Sequence, residues 1–209
     1  MGKILSGILG GFSGKVGPVV GANWKTIDYM RSYSIPENPN TANQQTVRAK
    51  FSALVALARQ ILSNVIQPYW DQFYTNMSGF NAWIKENYSL SSSAGVIDET
   101  ALMSKGTLVG TTVTEAEYTT GSGQVVVTFD TTLTGNAQNT DSILCTVLLK
   151  ASQVLSVFLP IATRGDGTFN VALDTGLTPT DIVVFVTFYR GTGAEMIVSD
   201  SDSVVGSAP

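Results

Sequence analysis

Asp181-Ile182-Val183-Val184-Phe185-Val186-Thr187-Phe188-Tyr189 is the stretch that decides the fold. It is nearly all β-branched or aromatic, and its alternation puts Ile182, Val184, Val186 and Phe188 on one face of a strand. Gln124 to Phe129 repeats the pattern, with Val125, Val127 and Phe129 alternating with Gln124, Val126 and Thr128. From about Gly106 onward the chain is a series of such runs, at the spacing of an antiparallel sandwich. The spacing predicts strands near 112–118, 124–130, 142–150, 153–159, 168–174, 181–190 and 194–199. Gly121-Ser122-Gly123, Thr134-Gly135-Asn136, Arg164-Gly165-Asp166-Gly167 and Gly191-Thr192-Gly193 supply the turns. Seven strands of this kind predict an immunoglobulin-like or fibronectin-like sandwich.

Upstream of the strands the period changes. Thr41 with Gln44 three residues later reads as a capping box. Val47, Phe51, Leu54, Ala58, Ile61 and Val65 follow at helical spacing, which predicts one amphipathic helix from about 42 to 67 ending before Pro68. Tyr69, Trp70, Phe73 and Tyr74 form an aromatic cluster, read as packing rather than as a sugar-stacking platform. Phe80, Trp83 and Ile84 give a further amphipathic turn before the serines at 91–93. Arg48, Lys50 and Arg59 fall toward the opposite helix face, where a solvated role is expected.

Residues 1–40 contain glycines at 10, 11, 14, 17 and 21, each costing a helix about 1 kcal/mol relative to alanine. Extended structure with close backbone approach is expected, with Pro18 at an edge or a bulge. The residues around Lys15 fail the phosphate-loop pattern, since Leu9 stands where its first glycine belongs and Val16 follows the lysine. Val16, Val19, Val20 and Trp24 cannot be buried within the segment alone, so Lys15, Val16, Val19, Val20, Trp24 and Arg31 form the candidate interaction surface.

Composition narrows the function. Charged residues make up 13% of the 209 and hydrophobic residues 44%, with net charge −4, so the chain forms a real core under a low-charge surface suited to protein contacts. No concentrated basic patch points to nucleic acid. Histidine is absent, which removes Ser-His-Asp and Cys-His chemistry, and the single Cys145 excludes an internal disulfide. No apolar run reaches the length of a membrane span, and Ile4 to Phe12, broken by Ser6 and three glycines, is a poor secretion signal. Glu115 and Glu117 share a strand face but lack a second group, and Asp98 and Glu99 lack a partner. Asp200-Ser201-Asp202-Ser203 lacks calcium-loop spacing and reads as a solvated end. Arg164-Gly165-Asp166, the tripeptide integrins read, is taken as a turn whose charge can be deleted with folding and assembly nearly untouched.

Gly7 to Lys15, reading GILGGFSGK, then Val16-Gly17, Trp24-Lys25, Arg31, Asn40-Thr41, Arg48 and Phe51 resemble a family of proteins of about this length from Bacteroidota and their phages, catalogued as domain of unknown function 6266. The likeness is close over residues 7 to 55 and covers the strands only in texture. It implies no catalytic residues.

The expectation is therefore an α+β chain: an extended Gly-rich N-terminal arm over 1–40, a helical segment over 41–104, an Ig-like β-sandwich over 105–200 and a peripheral tail over 201–209. The expected function is that of a non-enzymatic structural protein without cofactor or metal, a phage virion component found in virions or in the bacterial cytoplasm before assembly. It would form a homo-oligomer and bind other protein subunits, with no nucleic acid or small-molecule substrate. The alternative is a cell-surface or secreted adhesion module that binds glycans.

Overall fold

The computed structural model describes residues 3–4, 11–71, 74 and 76–209. The chain divides into two compact units, residues 1–41 and 42–209.

In the first unit, β1 (Lys3–Ile4), β2 (Phe12–Val16), β3 (Val19–Trp24) and β4 (Ile27–Ser32) form an antiparallel sheet in chain order. Where an extended arm was expected, two tight turns fold the segment on itself. Gly17 at φ +58° opens the first, and Pro18 completes it rather than marking an edge or bulge. Lys25 and Thr26 form the second at φ +47° and +73°, left-handed positions usually left to Gly or Asn. Gly21 is buried under Phe12, and a side chain there would collide with Phe12's carbonyl and ring.

The second unit begins with α1 (Ala42–Gln60), shorter than the expected helix. A π-helical turn, Leu62–Ile66, follows, in which the Ile66 N–H reaches back to the Ile61 carbonyl at 3.1 Å. Then comes α2 (Gln67–Trp70), which carries Pro68 in its first turn, where proline is tolerated. The axis bends by 70° across this break. The extra residue in the wide turn rotates the apolar stripe, so that Ile61, Val65, Ile66, Tyr69 and Trp70 are all buried. At the other end, Val47 and Phe51 stay about half exposed, and the stripe packs only from Leu54 onward. Ser78 caps α3 (Gly79–Leu90) by accepting from the Asn81 N–H. Buried Asn87 pins the following loop through both of its amide atoms, bonded to the Leu102 N–H at 2.8 Å and carbonyl at 2.9 Å.

Eight antiparallel strands complete the unit. β5 (Val113–Thr119), β6 (Gln124–Phe129) and β9 (Thr168–Ala172) form one sheet in the order β5-β6-β9. The other has β8 (Val154–Phe158), β7 (Ser142–Leu149) and β10 (Ile182–Arg190) side by side, with β11 (Ile197–Val198) and β12 (Asp202–Val205) sharing the far side of β10. β10 is the deciding stretch, buried on both faces. Ile182, Val184, Val186 and Phe188 pack with Val125, Val127 and Phe129 of the three-stranded sheet. Val183 and Phe185 face the other way, into a core with Leu54, Trp70 and Trp83 of the helices. The result is three layers, helices on one side of the five-stranded sheet and the smaller sheet on the other. Each fully buried large apolar side chain there contributes roughly 1.5–3 kcal/mol.

The C-terminal segment is not peripheral. β12 pairs with the centre of β10, and Ser207 then exchanges backbone hydrogen bonds of 2.8 and 2.9 Å with Ala116 and Tyr118 of β5. The C-terminal segment thus bridges the two sheets, because Val204 and Val205 carry apolar surface that a free tail would leave in water.

Candidate interaction surface of the N-terminal sheet

Register sorts the candidate residues onto two faces. Cross-strand partners share a face, and Lys15 pairs with Val20, which pairs with Arg31. Ala22 with Tyr29 and Trp24 with Ile27 lie on that same face. Val16 pairs with Val19 on the opposite face, with Gly21, Met30 and Asp28. The structure therefore brings together Lys15, Val20, Trp24 and Arg31 and separates them from Val16 and Val19. Phe12 folds over Gly21 and Gly11 closes on the Asp28 side chain, so the second face is partly covered by the sheet's own chain.

On the first face Val20 and Ala22 are half-buried, and the residues nearer the second turn are exposed. Trp24 is 63% exposed, Ile27 61% and Tyr29 45%. Apolar and aromatic surface of this kind is costly to leave in water, which keeps these residues as candidates for contact. Ile27 and Tyr29 are absent from the sequence-derived set. The signal for them was present: a two-residue turn after Trp24 puts Ile27 opposite it, and alternation then carries Tyr29 to the same side. Cations border the stripe and hold its rings. The Lys15 Nζ lies 3.6 Å from the Tyr33 ring centroid, and the Lys25 Nζ 5.2 Å from that of Trp24. Residues 1–41 hold four basic and two acidic side chains, against eight and fourteen in the rest of the chain, so the unit is basic on an acidic protein.

The other sequence candidates resolve into structure-holding roles. Arg164 is completely buried, against the expectation that its charge is dispensable. Its Nε donates to Asp141 Oδ2 at 3.1 Å, its Nη2 to the Val109 carbonyl at 2.6 Å and its Nη1 to the Gly110 carbonyl at 3.3 Å. Its guanidinium stacks 3.9 Å from the Phe188 ring centroid. Arg190 completes the cluster, its Nε donating to Asp141 Oδ1 at 2.6 Å. Burial pulls the Arg164 guanidinium below its ordinary value, and Asp141 opposes that. An arginine remains cationic regardless. A receptor cannot read Arg-Gly-Asp here, because its first side chain is in the core. Sequence pattern missed this because the tripeptide also suits a turn, and the partner, Asp141, lies 23 residues away.

Asp200 and Asp202 are not a solvated end: they accept from the Gly106 and Val113 N–H groups at 2.9 and 2.7 Å. Asp98 caps Thr100, and Glu99 pairs with Lys150 at 3.3 Å. Among the described residues no three of His, Cys, Asp and Glu gather to hold a metal ion. Tyr69 and Trp70 are buried, the Trp70 indole donating to the Met103 carbonyl at 2.8 Å, so neither can stack a sugar. Phe73 lies outside the described residues. Lys50 is tied down rather than solvated, donating to the Ser91 carbonyl at 3.0 Å and lying 4.4 Å from the Tyr88 ring centroid. Beside it, Phe51, Asn81, Ile84, Lys85 and Tyr88 line an open apolar groove of about 350 Å³ between α1 and α3. No described single helix is long and apolar enough to cross a membrane.

No curated protein and no solved structure matches the chain at a significant level. One family model does, and its match runs from the N-terminal sheet through the first residue of β12, well beyond the 7–55 region of close likeness. The sheet and the layered body thus fall within a single family pattern, and the chain belongs to the family of unknown function DUF6266, matched over residues 11–202.

Proposed function

We propose that this protein is a non-enzymatic structural component of a phage virion, capsid- or tail-associated, that self-assembles through its N-terminal sheet and helix α1. The observation that carries the proposal is the uncovered Trp24, Ile27 and Tyr29 stripe bordered by Lys15 and Arg31. Exposed aromatic residues beside arginine are the composition of interface hot spots. The half-exposed Val47 and Phe51 beside the α1–α3 groove offer a second apolar contact. The two facing sheets are read as an immunoglobulin-like or fibronectin-like sandwich that displays a surface. That reading is supported by the way the chain passes between sheets, β5 and β6 in one, β7 and β8 in the other, then β9 back and β10 across. The protein resides in the virion, or in the bacterial cytoplasm before assembly, and other virion subunits are its further partners.

Size-exclusion chromatography with light scattering on the full chain tests the assembly element. The wild type is expected to form a discrete homo-oligomer, and Trp24→Ser/Ile27→Ser to shift it to monomer without change in circular dichroism. A monodisperse wild-type monomer at about 100 μM, a concentration where even weak interfaces associate, refutes self-assembly.

A further inference from the structure

The sheet that carries the aromatic stripe also has an unprotected edge. Among the described residues β4 pairs only with β3, and all six of its residues are exposed. Tyr33 donates its N–H to the Pro18 carbonyl at 2.7 Å. Hydrogen-bonded and non-bonded pairs alternate along an antiparallel ladder. Counting from that bond, Arg31, Tyr29 and Ile27 turn their backbone groups toward Val20, Ala22 and Trp24 of β3. Asp28, Met30 and Ser32 therefore point their N–H and C=O groups out of the sheet. No proline or bulge interrupts this edge, the devices that normally blunt one.

We propose that β4 pairs antiparallel with β4 of a second copy, with Met30 opposite Met30, so that two sheets join across a two-fold axis. The proposal rests on the reading of the N-terminal sheet as the assembly element and specifies its geometry. A two-fold axis normal to the sheet keeps like faces on the same side, so each residue must pair with one of its own parity. This leaves four registers with at least three opposed β4 residues, centred on residue 28, 29, 30 or 31, and the last sets two Arg31 guanidinium groups against each other. The first sets two Asp28 carboxylates against each other. The second places the Arg31 guanidinium against aliphatic Ile27. The third sets Arg31 against the Tyr29 ring of the partner subunit, Ile27 against Tyr33 of the partner subunit, and Asp28 against the Ser32 hydroxyl of the partner subunit. Only this register gives every charge a group that can receive it, and it satisfies all the outward backbone groups. The edge is thus complementary to itself, which favours a second copy over an unrelated strand. It also joins the two aromatic stripes into one face.

The test uses the full-length chain. Cys145 is buried, so Met30→Cys introduces the only reactive thiol among the described residues. In the proposed register the two residue-30 Cα atoms lie about 5.5 Å apart, within disulfide reach. Tyr29→Cys sits on a diagonal of about 7–8 Å and should stay unlinked. The expected results are a disulfide dimer for Met30→Cys but not for Tyr29→Cys, and a monomer by light scattering for Met30→Pro. Proline at an outward N–H leaves the β3–β4 ladder intact. Met30→Lys, which sets two ammonium groups against each other, should also abolish the dimer, and both variants should keep the wild-type circular dichroism. Wild-type association by Met30→Pro and Met30→Lys overturns the proposal, as does cross-linking of Tyr29→Cys in place of Met30→Cys. If Trp24→Ser/Ile27→Ser dissociates the protein while the residue-30 variants do not, the edge pairing fails and the assembly reading stands. A monomeric wild type sinks both.

Discussion

Removing the Asp141 carboxylate should unfold the body of the protein more readily than almost any surface change. Asp141 and Arg164 are both fully buried, and among the described residues Arg164 pairs with no other carboxylate. In Asp141→Ala its guanidinium keeps the Val109 and Gly110 carbonyls and the Phe188 ring but loses its counter-charge. Arg190, whose side chain is 28% exposed, can turn to water, so the penalty falls mainly on Arg164. Stranding one partner of a buried pair costs about 3–5 kcal/mol. For a unit of this size each kcal/mol moves the midpoint by about 2–4 °C, so Tm should fall by roughly 10 °C. Arg164→Met instead removes the charge and keeps an apolar stem over Phe188. It leaves two carbonyls unpaired at about 1–3 kcal/mol each, while Asp141 retains Arg190. The double variant strands no cation and should cost clearly less than the two single losses added. Urea denaturation followed by tryptophan fluorescence gives all three values. A loss under about 1 kcal/mol in Asp141→Ala, far from the expected cost of a stranded buried charge, refutes the reasoning, as does strict additivity.

Three further outcomes follow from the same structure. Thr146 is buried on β7 with no partner for its hydroxyl among the described residues, so Thr146→Val should be neutral or stabilise by about 1 kcal/mol in the same denaturation assay; a loss of that size would show that the hydroxyl is satisfied. Burial in β7 pushes the Cys145 thiol up, so the native protein should resist a thiol-specific chromogenic reagent until denaturant unfolds it, whereas rapid native labelling would contradict its placement. Asp98, Asp130 and Asp166 are held below their ordinary value by hydrogen bonds from Thr100, Thr132 and Thr163. Because the folded values are the depressed ones, this stabilisation is present above the ordinary value of 3.8 and is lost as pH falls through the lower folded values. Thermal melts should therefore decline below about pH 4, less steeply in Asp130→Asn/Asp166→Asn; an unchanged acid slope in that variant would remove these groups as the cause.

Chain-local chemistry was legible without coordinates. Alternation located the strands from 113 to 198, helical spacing found both amphipathic helices, and the glycine at 21 marked a close backbone approach, whereas the turn at Gly17 was read as part of an extended arm. Four residues of the first face, Lys15, Val20, Trp24 and Arg31, were also in the sequence-derived set, though mixed with two residues of the opposite face. Pattern could not say how far the helix at Ala42 runs, because a π-turn depends on where the sheet below needs its apolar residues. Nor could it find the partner of Arg164, since a charge in a turn looks the same whether it meets water or a carboxylate 23 residues away.

What the sequence determined by itself is set by periodicity: which segments are strands or helices, and which side chains share a face. The tertiary structure decided what each face meets. It buried both sides of β10, drew β12 and Ser207 across two sheets, enclosed Asp141 with Arg164, and left Trp24, Ile27 and Tyr29 in water. The reason is that alternation is a property of neighbouring residues, whereas burial and charge pairing depend on elements far apart in the chain.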